Sequence, residues 1–407
     1  MAATLGLSAN WRQFALLVAV NAFVGGMVGM ERSILPLLAD SEFGVASRTA
    51  AVSFVASFGL AKAIANLLAG RLSETYTRRR ILIAGWIFGV PVPFLLIFAP
   101  SWGWVIGANA LLGVNQGLAW SMTVNMKIDL VGPSRRGLAL GFNEAAGYLS
   151  VAAAAFFTGV IADHYGLHPE PFYLGIALAA CGLALSVLFV RDTSPHVATE
   201  AASHGESGSG SLASAFTTVS WRDSRLFGIS QAGFVNNLND ALAWAVFPLF
   251  FASRGVSLQD IGILAAVYPL VWGGLQMVTG WASDSLGRSR FIVGGMVLQG
   301  LAISLVGFGD SFGVWALAVA ALGVGTAMVY PVLLAAIGDS VHPESRATYL
   351  GVYRFWRDAG AMAGALIAGA IADSLGFRAA IQAVAVVTIG SGVVASFALN
   401  NGKRVSS

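Results

Sequence analysis

Charge is scarce in this chain of 407 residues. Its 23 basic and 20 acidic residues make up 11% of the sequence, against about 25% in a typical soluble domain. So few charges cannot clothe a soluble sphere of this size. That excludes a soluble enzyme, a nucleic-acid-binding domain and a disordered protein. Cysteine is nearly absent too: Cys181 stands alone, which excludes a disulfide framework and a thiolate zinc site. No phosphate loop of the form Gly-x-x-x-x-Gly-Lys-Ser/Thr and no nucleophile–base arrangement stands out. Neither direct ATP use nor enzymatic activity is expected.

Apolar sequence is abundant, at 57% of residues. Crossing about 30 Å of hydrocarbon takes roughly 20 mostly apolar residues. Twelve stretches qualify, at about 12–38, 48–69, 81–99, 103–125, 137–162, 171–190, 224–251, 258–281, 291–309, 312–337, 347–372 and 377–399. All are expected to be helices, because a backbone facing lipid must satisfy its own hydrogen bonds. With both termini placed in the cytoplasm, the inner segments hold sixteen basic residues and the outer loops only Arg48, Arg254 and Arg378. That bias supports twelve spans in a bacterial-type inner membrane. Residues 192–220 are small, polar and Gly/Ser-rich, which reads as a flexible cytoplasmic linker between halves at 1–191 and 221–407. His196, Glu200 and His204 in it have helical metal-ligand spacing, but this composition argues against a helix there.

A shift of 210 residues aligns the halves without gaps. Gly70, Ser73, Arg78 and Arg80 meet Gly280, Ser283, Arg288 and Arg290; Asp129, Pro133 and Arg136 meet Asp339, Pro343 and Arg346. Six spans per half start both halves on the same side, giving a parallel repeat. Rocker-type secondary transporters have this plan, with the substrate between the halves.

The loop Gly70-Arg-Leu-Ser-Glu74-Thr-Tyr-Thr-Arg78-Arg-Arg80 resembles the signature of the major facilitator superfamily, usually Gly-x-Leu-Ala-Asp-Arg-x-Gly-Arg-Lys. Gly280-Trp-Ala-Ser-Asp284-Ser-Leu-Gly287-Arg288-Ser-Arg290 repeats it. In the first copy Glu74 replaces Asp and Thr77 replaces the second Gly. The resemblance implies an all-α membrane fold of two six-helix bundles. Spans 1, 4, 7 and 10 would surround a central cavity, with 2, 5, 8 and 11 where the halves meet. It implies a cytoplasmic gate in which Glu74 and Asp284 sit at helix N-termini while Arg78 and Arg288 pair with carboxylates. Asp129 with Arg136, and Asp339 with Arg346, are further gate candidates. Proton-coupled drug antiporters of this superfamily usually carry an Arg in span 4 and a Gly-Pro signature in span 5. Here Asn109 stands in span 4, and Gly141-Phe-Asn-Glu-Ala-Ala-Gly147 has no Pro. The segments Gly29-Met-Glu-Arg-Ser-Ile-Leu-Pro36 and Trp120-Ser-Met-Thr-Val-Asn-Met-Lys-Ile-Asp129 resemble bacterial nickel-resistance permeases, without their histidine-rich tail.

Eight ionisable residues fall inside the spans: Glu31, Arg32, Lys62, Glu144, Asp240, Arg354, Arg357 and Asp358. One such charge at a helix centre costs about 2.5–3.5 kcal/mol on insertion scales, so these groups must pair or face water. Glu144 and Arg354 occupy equivalent repeat positions with opposite signs. Glu144 and Asp240 are the leading candidates for proton coupling or cation binding, because desolvation favours a protonated carboxyl and an arriving cation favours the ionised form. An ion pair of Glu144 with Lys62 or Arg354 is the structural alternative. Asn236, Asn237 and Asn239 form a polar cluster beside Asp240. Asn66, Asn115, Gln116, Asn143 and Tyr330 are further lining candidates, with Trp120, Trp244 and Trp272 as apolar walls. The expectation is a monomeric secondary transporter without a cofactor, driven by the proton gradient and exporting a small molecule. Divalent-metal export, proton-coupled uptake of a polar solute and a non-transporting sensor or scaffold are the alternatives.

Overall fold

The computed structural model describes residues 4–132, 136–201, 212–341 and 346–401. Helices occupy all twelve expected spans. In the first half they are α1 (Leu7–Arg32, continued by Leu35–Ser41), α2 (Arg48–Ala51 and Ser53–Thr75), α3 (Arg78–Gly89 and Pro91–Ile97), α4 (Trp102–Asn115, a π-turn at Gln116–Trp120, then Ser121–Val131), α5 (Arg136–Tyr165) and α6 (Glu170–Leu188). In the second half they are α7 (Ser224–Ala241, a π-turn at Leu242–Val246, then Phe247–Ala252), α8 (Leu258–Leu286), α9 (Arg288–Phe308), α10 (Phe312–Gly338), α11 (Arg346–Leu375) and α12 (Phe377–Asn401). Among the described residues, nine helices are long and apolar enough to cross a membrane. The other three spans, α2, α4 and α7, are interrupted by a turn or carry more polar residues. Equivalent helices break at equivalent places: α1 stops at Ser33–Ile34, and α7 relaxes into its π-turn at 242–246, one repeat later.

Each half is a bundle. In the first, α1 packs on α5 and α6, and α4 on α2 and α3; in the second, α9 packs on α10 and α12, and α7 on α11 and α12. The halves meet along two seams, α5 against α8 and α2 against α11. Large apolar side chains stay exposed on the outer helices, among them Ile87, Leu188, Leu301 and Phe397. They form the apolar belt of a multi-pass membrane protein.

Glycine sets the α5/α8 distance. A Cβ on Gly262 would lie 2.8 Å from the Gly159 Cα, and one on Gly159 would lie 2.7 Å from the Gly262 Cα. The α2/α11 seam closes with polar groups at the end away from the termini. Asp373, near the end of α11, accepts hydrogen bonds from the Ser47 hydroxyl (2.9 Å), Arg48 N (2.6 Å), Thr49 N (2.9 Å) and the Thr49 hydroxyl (2.6 Å) at the start of α2. The Arg48 guanidinium donates to the Ala372 carbonyl and stacks 4.3 Å from the Phe377 ring centre.

Two expectations change. Lys127 belongs to no cytoplasmic loop: α4 runs on to Val131, and Lys127 is fully buried, its Nζ donating to the Leu17 carbonyl at 3.2 Å. The basic bias between the two sides is one residue smaller for it. In the linker, residues 194–201 are helical, and His196 reaches Asn10 Oδ1 at 3.2 Å. His204 lies outside the described residues.

Placing a side chain where backbones touch forces the seam apart, at about 1–3 kcal/mol for ordinary overpacking and more where backbone must move. Gly262→Leu is expected to lower the melting temperature and the monodisperse yield. Gly274→Leu, on the same helix with open space around its Cα, is expected to leave both near wild type. Fluorescence-detected size exclusion after heating reads the difference.

Candidate functional site

Lys62, Glu144, Arg357 and Asp358 lie on the seam helices α2, α5 and α11, and Asp240 approaches them from α7. Asp358 is the hub of the α2/α11 seam. Its carboxylate accepts from Asn66 Nδ2 at 2.5 Å and from Arg357 Nη1 at 3.2 Å, with Lys62 Nζ at 4.0 Å. Ser121 of α4 donates to Asn66 Oδ1 at 2.7 Å and fixes that amide's orientation. Lys62 and Asn66 come from the first half, Asp358 and Arg357 from the second, so this cluster ties the halves together.

Glu144 is held differently. It accepts from Trp120 Nε1 (3.0 Å), Asn143 Nδ2 (3.0 Å) and, across the seam, the Tyr330 hydroxyl (3.3 Å). Asp240 accepts from the Tyr268 hydroxyl, itself 3.1 Å from Thr326 Oγ1. The other Asp240 oxygen is buried without a hydrogen bond. Among the described residues neither carboxylate forms an ion pair; Lys62 pairs with Asp358 instead. The structural alternative, an ion pair of Glu144 with Lys62 or Arg354, is therefore not realised. Arg354 is half-buried one turn from Asp358, on the other seam.

Aromatic rings bridge the carboxylates. Tyr148 of α5 lies over Trp272 of α8 with ring centres 3.6 Å apart, and Trp120, Tyr330 and Tyr268 pack around this pair at 5.3–5.6 Å. The Arg357 guanidinium sits 4.3 Å from the Tyr330 ring centre and donates to the Tyr148 hydroxyl at 3.5 Å. Arg32 is 1% exposed and lies between the rings of Phe58 (4.7 Å) and Trp244 (4.8 Å). Cation–π attraction compensates part of its desolvation.

Several other candidates face into a bundle and away from the seam. Asn115 donates to the Gly85 carbonyl at 2.9 Å and Gln116 to the Val24 carbonyl at 2.7 Å, joining helices of the first half. Asn236 accepts from Gln299 at 3.0 Å, while Asn239 bonds Gln299 and Thr388, so both point into the second half. The polar run before Asp240 is thus split between two faces of α7. Asn237 is buried, and Glu31 is buried beside Asn109.

At the terminus-bearing end the repeat recurs as geometry. Arg78 holds Asp129 with Nε–Oδ2 at 2.6 Å, and Arg288 holds Asp339 with Nε–Oδ2 at 3.1 Å. Thr193 adds a 2.6 Å bond to Asp129, and Arg288 donates to Ser283 at 2.6 Å. Both ion pairs lie within a half, joining the start of its third helix to the end of its fourth. Gly280 has open space around it. The side chains of Glu74, Asp284, Arg136 and Arg346, and the surroundings of Gly70, lie outside the described residues.

Sequence reasoning missed Tyr148, Tyr268 and Lys127. The first two had a signal: Tyr148 follows Glu144 by four residues, and Tyr268 precedes Trp272 by four, one helix face each. Lys127 sits in a run without a turn residue until Gly132. Among the described residues no three His, Cys, Asp or Glu side chains converge as a metal would require.

Removing the Asp358 charge leaves Lys62 and Arg357 without their shared carboxylate. Breaking a buried pair from one side costs about 3–5 kcal/mol. Asp358→Asn is expected to melt well below wild type, and Asp358→Asn with Lys62→Met to recover part of the loss. Equal melting of Asp358→Asn and wild type would show that the cluster does not hold the seam.

The sequence profile of the Major Facilitator Superfamily matches residues 14–229 and 229–407. A multidrug resistance protein MdtG of Enterobacter lignolyticus is 23% identical over 96% of this chain and 93% of its own. A multi-drug resistance efflux pump PmrA homolog of Lactococcus lactis is 21% identical over 93% of each. A POT family transporter crystallised with a thioalcohol-conjugated peptide superposes with a TM-score of 0.76 at 14% identity, covering 94% of this chain and 95% of that one. The human organic anion transporter MFSD10 gives 0.71 at 16% identity, covering 94% and 99%. With two matched repeats spanning nearly every residue, the chain belongs to the major facilitator superfamily.

Proposed function

We propose that this transporter exports small molecules by alternating access, exchanging them for protons. One observation carries the reading: Glu144 and Asp240 are buried beside the aromatic seam, held by neutral donors, and unpaired by any cation among the described residues. Asp358, by contrast, is committed to two cations and an amide. A carboxylate with neutral partners is free to exchange a proton for a polar or cationic group of a substrate. Trp120, Tyr148, Trp244 and Trp272 supply flat apolar surface for the rest of such a molecule. The two relatives, a multidrug resistance protein and a multi-drug resistance efflux pump homolog, support this substrate class. The terminus-bearing end faces the cytoplasm of an inner membrane, the side to which the basic loops belong. The proton gradient is the energy source, and no cofactor takes part.

The test is drug-sensitive bacteria expressing the protein, challenged with cationic, neutral and anionic antimicrobials and with toxic metals, followed by proton-coupled flux in proteoliposomes. A charge-assisted hydrogen bond is worth about 1.5–3 kcal/mol, so Glu144→Gln and Asp240→Asn are each expected to cut flux by roughly tenfold or more at normal membrane levels. Normal flux in both variants would remove the carboxylates from the mechanism. Protection against metals alone would move the assignment to cation export.

The Asp373 lock joins the halves at the non-terminus end. Asp373→Asn is expected to raise labelling of a cysteine placed at Val52, buried against Gly369 in the same seam, by a membrane-impermeant maleimide several-fold, as that end opens more often. Unchanged labelling would show that the lock does not limit opening.

A further inference from the structure

A hollow of about 710 Å³ opens on the outside of the first half, at the terminus-bearing end. It lies where the starts of α1 and α3 meet the segment after α6. Three arginines line it, one from each element: Arg12, Arg79 and Arg191. Among the described residues none of them forms an ion pair. Arg79 donates Nη2 to the Val187 carbonyl at 2.6 Å, and its Nε is buried without a partner. One acid, Asp192, shares the wall, but backbone groups already occupy it: Oδ1 accepts from Arg79 N at 3.3 Å and Oδ2 from Ser194 N at 3.1 Å. Gln13 closes the floor by bonding the Phe189 carbonyl and Arg191 N.

The rim has the opposite character. Leu188 and Phe189 are 68% and 58% exposed beside the hollow. Trp11, also exposed, adjoins Arg12 and marks the depth of the bilayer interface. Guanidinium groups at headgroup depth, opening onto apolar surface that faces lipid, match one kind of molecule: an anion carrying an acyl chain.

We infer that this hollow binds an anionic phospholipid, its phosphate on Arg12, Arg79 and Arg191 and its acyl chain along Leu188 and Phe189. Guanidinium forks match phosphate oxygens in geometry as well as charge. Basic pockets between helices at the membrane surface hold such headgroups. The repeat sharpens the inference. The positions equivalent to Arg12, Gln13, Arg79 and Arg191 are Arg222, Asp223, Ser289 and Asn401. The second half keeps one cation, loses two and gains an acid there. The three-arginine set thus belongs to the first half alone, away from the α5/α8 and α2/α11 seams.

Purified full-length protein in detergent tests this, with native mass spectrometry and thermal unfolding as readouts. The probes are cardiolipin, phosphatidylglycerol, phosphatidylcholine and inorganic phosphate. The wild type is expected to retain one anionic lipid and to melt higher when it is supplied, with no response to phosphatidylcholine. Affinity is expected to fall about fivefold for each arginine removed, so Arg12→Gln, Arg79→Gln and Arg191→Gln combined abolish retention, while Arg222→Gln preserves it. Should the triple variant fail to express, Arg191→Gln alone, on an exposed loop, reads the fivefold loss of one arginine. Retention by Arg191→Gln or the triple variant equal to wild type overturns the site. Equal stabilisation by inorganic phosphate overturns the lipid and leaves a site for a free phosphate.

Discussion

A carboxylate placed in a membrane seam needs donors around it, and Asp358 draws them from both halves. Lys62 and Asn66 reach it from α2, and Arg357 from its own helix. Much else follows from that demand. Asn66 needs Ser121 to orient it, which brings in α4. Arg357, with one edge on Asp358, lays its face on Tyr330, whose hydroxyl turns to Glu144. Glu144 and Asp358 are thus two ends of a single chain of contacts.

Most of the architecture was legible in the sequence. The offset of 210 residues predicts that α5 and α11 end at matching residues, and they do, at Tyr165 and Leu375. The repeated loop implied that Arg78 and Arg288 each meet a carboxylate, but it did not single out Asp129 and Asp339, which the sequence grouped with Arg136 and Arg346. The structural alternative of a Glu144–Arg354 pair fails because of the repeat itself. Residues related by a two-fold axis lie on opposite sides of it, so equivalent positions of opposite sign fall on different seams. Lys127 was misread because a basic residue near the end of a span normally marks a loop, and only the length of α4 shows otherwise. The facing of Asn236 and Asn239 could not be read, since the polar run before Asp240 covers more than one side of α7.

The interior differs from the repeat where function is proposed. Tyr148 stacks on Trp272 in the α5/α8 seam; their equivalents in the α2/α11 seam are Asp358 and Lys62, also in contact. One crossing has thus become aromatic and its twin ionic. Glu144 meets Tyr330, while at the equivalent positions stand Arg354 and Trp120. One repeated frame thus carries two seams of distinct chemistry, set by a few facing positions.

The far end carries that divergence outward. Asp373 gathers four hydrogen bonds on one seam, whereas Asp163, its equivalent, stands exposed beside a glycine crossing that already holds the other seam shut. Water can replace the bonds of Asp373 one for one, but nothing from solvent replaces backbone packed on backbone. At this end the two seams are therefore shut by unlike means: α2/α11 by bonds that water can take over, α5/α8 by a contact that leaves water no room.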